Sequence, residues 1–287
     1  MYFRSVCLSD DPGVGRQQAR RVVAAENFFT LKTHLPPRVY DGIHAFLTHQ
    51  VSQNARKWIK LIEARRAAMK SSDRLLAGIA PVGGYRPGEH VEFKETAKRE
   101  LRDVVRAAKR PIWCRILFTL VESLKPEAAL ELGTCVGISG SYTAAAMKGH
   151  GRLYTLEGSS DFAGVAKETM TSLKLPKNVS FVTGLFDNTL SATLSKEPKW
   201  DFVFIDGHHD GDATLRYVQA IRPLLAENAI ILFDDIQWSK DMLRAWDTIV
   251  ASDAFPLCMD LEEVGLCATF PSSERWMIRM GVEALRL

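Results

Sequence analysis

The chain has 287 residues, 46% of them hydrophobic, with 37 lysines and arginines against 34 aspartates and glutamates. That length and apolar fraction suit a globular fold with one large core, or one core and a smaller domain, and exclude a disordered or fibrous chain. The net charge of +3 hides an asymmetry, since up to Pro126 there are 23 basic and 12 acidic side chains and beyond it 14 and 22.

A basic N-terminal part of this kind suits solvated helix faces, an acidic or nucleic-acid partner, or docking against the acidic remainder. The opening MYFRSVCLSDDPGVGR lacks the continuous apolar stretch of a secretory signal, and no run has the length needed to span a bilayer. A cytoplasmic protein without a membrane partner is therefore expected. Cys7, Cys114, Cys135, Cys258 and Cys267 are odd in number and form no C-x-x-C pair, which speaks for reduced packing residues over a disulfide framework or zinc site.

In chain order, residues 37–76 carry Val39, Ile43, Phe46, Leu47, Trp58, Ile59 and Ile62 at helical spacing, which predicts two helices. The stretch LLAGIAPVGGYRPG, residues 75–88, is too rich in glycine and proline for regular structure and predicts a loop, hinge or lid. Residues 94–110 read as a charged helix with Glu95 four residues before Arg99, and Pro111 opens a second, apolar one over 112–124. Strands then alternate with helices: 128–132, 152–156, 179–182, 201–205 and 229–233 are apolar runs suited to burial on both faces. Two further short strands, 257–261 and 266–270, flank a polar turn containing Gly265 and predict a hairpin. The fold expected is α/β, a doubly wound, mostly parallel seven-stranded sheet. A helical N-terminal extension, residues 1–110, serves as lid or homodimer contact, and residues 111–287 form the ligand-binding domain.

Ligands of such sheets bind beyond the carboxyl ends of the strands. There the chain offers a loop with Gly133 and Gly137, and Glu157 closing the next strand, a carboxylate able to accept two hydrogen bonds from a ribose diol. A dinucleotide site would want glycine where Cys135 stands, so the spacing suits S-adenosylmethionine better, while an ordinary strand-to-helix turn is the plain alternative. The fourth strand ends in IDGHHD and the fifth in FDDIQW. If the two are neighbours, Asp206, Asp234 and Asp235 converge, a set suited to a hard divalent cation such as Mg²⁺ unless each merely caps a helix. His208 and His209 follow Asp206 directly and are candidate proton acceptors, His209 preferred. Trp238 could form an acceptor wall or a plain rim aromatic.

The ordered set ELGTCVGIS, LEG, VTGLFD, FVFIDGHH and ILFDDIQW resembles the class I S-adenosylmethionine-dependent methyltransferases, from about residue 111 onward. Within them it is most similar to the small O-methyltransferases of the catechol and caffeoyl-coenzyme A type and to bacterial relatives with an IDG-x-H signature. The resemblance implies a Rossmann-like fold. It also implies that Glu131, Gly133, Gly137 and Ser139 line the methionine end of the cofactor, Glu157 the ribose, and Gly184, Leu185 and Phe186 the adenine. Thr134, Gly158 and Asp206 complete that set, and Asp206, Asp234 and Asp235 would be the metal ligands. The chain departs from the catechol type in carrying Asp235 for an asparagine and His209 for a lysine base. The activity expected is O-methylation of a small hydroxylated acceptor, catalysed through His209, His208 and Asp206 with a divalent cation and without a nucleic-acid partner. The alternatives are methylation of RNA or protein, and non-catalytic S-adenosylmethionine binding.

Overall fold

The computed structural model describes residues 21–48, 50–81, 93–95 and 98–279. Strand β1 (Arg21–Ala24) and a 3-10 turn lead into α1 (Pro37–Leu47) and α2 (Gln53–Met69). Short strands β2 (Leu75–Leu76), β3 (Ile79–Pro81), β4 (Phe93–Glu95) and β5 (Arg99–Glu100) precede α3 (Leu101–Ala107) and α4 (Pro111–Leu124). The alternating part follows as β6 (Ala128–Leu132), α5 (Ile138–Met147), β7 (Arg152–Glu157), α6 (Ser160–Ser172), β8 (Val179–Thr183), α7 (Phe186–Leu194), β9 (Trp200–Ile205), α8 (Gly211–Ile221), β10 (Leu225–Phe233) and α9 (Lys240–Ala251). Strands β11 (Leu257–Asp260), β12 (Gly265–Ala268) and β13 (Trp276–Arg279) end the described chain.

The main sheet runs β1-β13-β11-β12-β10-β9-β6-β7-β8, and only β12 lies antiparallel to its neighbours. The seven expected strands form its body, and β13 and β1 extend it by two. Side chains alternate between two apolar clusters. Ala129, Leu153, Phe202, Phe204 and Ile230 face α1, α2, α4, α5 and α6, whereas Leu130, Leu156, Val203, Ile205 and Ile231 face α7, α8 and α9. Burial on both faces is why these strands read as unbroken apolar runs. Helices α6, α8 and α9 start where Ser159, Asp210 and Ser239 accept the backbone N–H of Phe162, Ala213 and Met242.

The hairpin is present, with Asp260 opposite Gly265, so Gly265 belongs to the strand and not to the turn. A Cβ there would lie 2.5 Å from the Trp246 ring, and helix α9 thus packs flush on the hairpin. Two expectations are corrected. Residues 94–110 are not one helix: β4 pairs with β3 and β5 with β2, leaving α3 to begin at Leu101. Leu101, Val104 and Val105 are the buried residues of that helix, and nothing before Leu101 supplies an apolar stripe to hold a longer one. Glu95 and Arg99 consequently do not share a helix face. Residues 75–81, expected as loop, contribute β2 and β3; residues 82–92, the rest of the expected lid, and Cys7 lie outside the described residues.

Among the described residues no helix is long and apolar enough to cross a membrane. Cys114, Cys135, Cys258 and Cys267 are not in disulfides, and the Sγ atoms of Cys258 and Cys267 meet at 3.4 Å across β11 and β12.

Candidate active site

Where the parallel strands end, neighbouring strands β8, β7, β6, β9 and β10 set out a row of half-buried residues: Gly184, Leu185 and Phe186; Glu157 and Gly158; Gly133 and Cys135; Asp206, His208 and His209; then Asp235. Four of them, Cys135 (φ 48°), His208 (φ 71°), His209 (φ 41°) and Asp235 (φ 52°), are non-glycine residues in the left-handed region. Each such conformation costs on the order of 1 kcal/mol, and clustering of strain is a mark of functional sites.

The residues expected around the cofactor divide into an outer and an inner set. Gly133 (φ 106°) crosses the end of β9 so closely that a Cβ would meet the Asp206 carbonyl oxygen at 1.9 Å. Glu157 ends β7 with one carboxylate oxygen accepting the Cys135 N–H at 2.8 Å and the other the Ser159 N–H at 2.9 Å. Burial raises its pKa and those N–H donors pull it back. With Gly158 as a third backbone donor, the carboxylate keeps acceptor capacity for a further donor. The strand ends therefore fit a nucleoside-bearing cofactor: a glycine loop beside a carboxylate fixed by backbone donors and open on one side.

Glu131, Thr134, Gly137 and Ser139 instead lie buried behind this row. Glu131, 1% exposed, accepts hydrogen bonds from Ser139 Oγ and Thr155 Oγ1, both at 2.6 Å, and burial pushes its pKa up to about 7. Gly137 (φ 82°) precedes α5, and a Cβ there would come within 2.9 Å of the Ala166 backbone. Its missing side chain lets α5 pack closely on α6.

The segment before the sheet reaches over the same edge. Ala77 donates its N–H to Asp161 at 2.8 Å, Ser159 Oγ donates to the Ala77 carbonyl at 2.6 Å, and Arg74 pairs with Glu168 at 2.8 Å. Ile79 is thereby seated beside Gly158.

Asp206, Asp234 and Asp235 do come together, because the Asp234 N–H bonds the Ile205 carbonyl across β9 and β10 at 2.8 Å. Enclosure raises the Asp206 pKa well above the ordinary carboxylate value, and the hydrogen-bonded Asp234 beside it adds to the rise. The cluster's compensating charge is Lys109, from the link between α3 and α4. Its ammonium is ion-paired with Asp234 and stands 3.9 Å from Asp235, with side-chain exposure of 7% against 3% for Asp234. Burial opposes the charge of Lys109, but Asp234, Asp206 and Asp235 outweigh it and raise its pKa. Among the described residues no three His, Cys, Asp or Glu side chains are disposed to hold a metal ion. The expected metal ligands thus do not fit a divalent cation in this arrangement, because a lysine already neutralises them.

The two histidines part company. His208 Nδ1 is hydrogen-bonded to the Tyr217 hydroxyl at 2.8 Å on α8, and burial lowers its pKa. His209 stays open to solvent, its Nδ1 3.5 Å from Asp235 Oδ2 and its ring 6.4 Å from that of Trp238, which is 72% exposed. Asp210, the last acid of IDGHHD, caps α8 through the Ala213 N–H at 2.6 Å. A cleft of about 540 Å³ between α7 and α8 shares Phe186 and Tyr217 with this edge but none of the three clustered aspartates.

Sequence reasoning passed over Lys109 and its anchors. Arg66 of α2, 4% exposed, donates to the Lys109 carbonyl at 2.8 Å and the Ala108 carbonyl at 3.4 Å, and is paired with Glu63, which accepts from Tyr142 of α5 at 2.8 Å. On the other side, Trp113 Nε1 donates to Glu263 of the hairpin at 2.6 Å and Arg110 pairs with the same carboxylate. Arginine and lysine in a polar helical segment give no local signal of such placement.

Residues 130–236, from β6 to just past β10, match the profile of a family described as "Methyltransferase domain". The expected resemblance to S-adenosylmethionine-dependent methyltransferases is thus supported over the matched segment. Solved structures of similar fold include the SAH-bound methyltransferase PaMTH1 from Podospora anserina (TM-score 0.54, 15% identity, 83% of this chain and 98% of that one). Others are cofactor-bound Rv0187 from MTB (0.50, 23%, 58% and 84%) and the O-methyltransferase TomG from Streptomyces achromogenes, involved in tomaymycin synthesis and solved with SAM (0.50, 18%, 57% and 82%). At these identities the likeness is one of fold. No functionally curated protein matches the chain.

Proposed function

We propose that the protein is an S-adenosylmethionine-dependent O-methyltransferase acting on a small hydroxylated acceptor. The observation that carries this reading is the half-buried row at the strand ends, with the Gly133 loop and Glu157 on one side of Asp206 and the His209–Asp235 pair on the other. When bound, S-adenosylmethionine supplies an activated methyl that a hydroxyl oxygen can take up by displacement. In this reading Glu157 holds the ribose diol, the loop from Gly133 to Cys135 carries the methionine end, and Gly184, Leu185 and Phe186 receive the adenine. His209 takes the acceptor's hydroxyl proton, and Asp235 orients the ring and stabilises its charged form. Trp238 offers an exposed face at the mouth against which a planar acceptor can lie. The work of the protein is then mainly orientation, with proton removal improving the nucleophile. No step passes through a divalent cation.

Two outcomes are expected. Glu157→Ala weakens S-adenosylhomocysteine binding by roughly 10²- to 10⁴-fold in isothermal titration, the worth of two hydrogen bonds to a charged group at about 1.5–3 kcal/mol each. Glu157→Gln, which preserves one acceptor for the loop, falls between the two; wild-type affinity in both variants would remove the ribose assignment. His209→Ala lowers methyl transfer from labelled S-adenosylmethionine to a panel of catechols, phenols and hydroxy acids by about 10²- to 10⁴-fold at unchanged S-adenosylhomocysteine affinity. Full turnover in that variant would end the assignment of His209 as base.

A further inference from the structure

We infer that Lys109 is the resident cation of the acid cluster, so that Asp206, Asp234 and Asp235 are served by the chain's own ammonium where a carboxylate triad would otherwise collect a divalent metal. Three observations converge on this. The Lys109 side chain is nearly enclosed, ion-paired with Asp234 and 3.9 Å from Asp235. Its backbone is pinned from outside the matched segment, since Arg66 spends guanidinium donors on the carbonyls of Ala108 and Lys109 while Arg110 and Trp113 hold Glu263. No three ligating side chains among the described residues are disposed around a common point for a metal. A divalent ion would have to displace an anchored lysine and leave its charge stranded in a closed site. Arg66 is accordingly a positioning residue, and the N-terminal helices supply a part of the site.

The inference concerns the cleft of the proposed methyl transfer, but its readouts need neither cofactor nor acceptor, so the two can fail separately. The test is thermal melting of the full chain with Mg²⁺, Mn²⁺ or EDTA, together with electron paramagnetic resonance of Mn²⁺. Wild type is expected to show no saturable shift in Tm with any of the three and no bound Mn²⁺ signal at millimolar ion. Lys109→Met, which keeps the length and loses the charge, is expected to gain a saturable rise of about 5 °C at Mn²⁺ well above its Kd. That rise should vanish in Lys109→Met combined with Asp234→Asn. Saturable Mn²⁺ binding by wild type overturns the inference even if the variants fail to fold, and so does a folded Lys109→Met that ignores both ions.

Discussion

Gly133→Ala is expected to cost more than about 4 kcal/mol of stability and to lower Tm by roughly 10 °C or more, or to prevent folding. Strands β6 and β9 are direct neighbours, with the Asp206 N–H bonded to the Leu132 carbonyl at 2.8 Å. The added methyl would point at the Asp206 carbonyl oxygen from 1.9 Å, and that oxygen belongs to backbone at a strand end, which has no rotamer by which to withdraw. The left-handed φ of 106° adds its own penalty for any residue with a Cβ. Because the crossing joins the proposed cofactor loop to the acid cluster, surviving Gly133→Ala protein should also lose S-adenosylhomocysteine binding. Urea and thermal melts check the first effect, and a loss below about 1 kcal/mol would mean that the two strand ends can part without harm.

The second large effect is a pH dependence owed to Glu131. Its pKa stands at about 7 in the fold against an ordinary 4.5, because burial penalises the charged form more than Ser139 and Thr155 relieve it. Between those values the native state holds a proton that the unfolded chain has released, so stability falls as pH rises. The contribution of Glu131 is complete below about pH 4.5 and is lost by about pH 7, a change of about 3 kcal/mol. Glu131→Gln removes this titration. It should be less stable than wild type at pH 5, where an acceptor for one hydroxyl has gone, and should recover about 2–3 kcal/mol relative to wild type by pH 8. Unfolding free energies measured along that range decide the matter, and parallel curves for the two proteins would show that Glu131 keeps its charge in the fold.

Glu131 also illustrates what a sequence conceals. The family resemblance implies a cofactor contact for Glu131, and strand alternation turns its side chain towards α5, where Ser139 donates to it from eight positions on. The central strands were legible because burial on both faces leaves long apolar runs, whereas WMIR of β13 and RVVA of β1 are four residues each, too short for a pattern to show. Charges spaced four apart at Glu95 and Arg99 imitate a helix but occur equally in the short extended pieces found there. At the site, the strand ends were enough to anticipate that Asp206, Asp234 and Asp235 converge. The separate fates of His208 and His209 depend on Tyr217, and the neutralising lysine arrives from before the first strand of the matched segment. Both are tertiary facts, since adjacent identical residues and one lysine among many carry no distinguishing local pattern.

The parallel pairing of β1 with β13 joins residues 21–24 to residues 276–279. During synthesis the earliest of these segments must therefore wait, without its neighbour, until almost the whole described chain has left the ribosome. Such a join ranks among the most sequence-distant in the molecule and is slow to close for that reason. A nascent chain arrested before Trp276 would present the β11 edge bare, a ready template for another copy, so translation pausing late in the message should yield aggregates more readily than an arrest after Arg279.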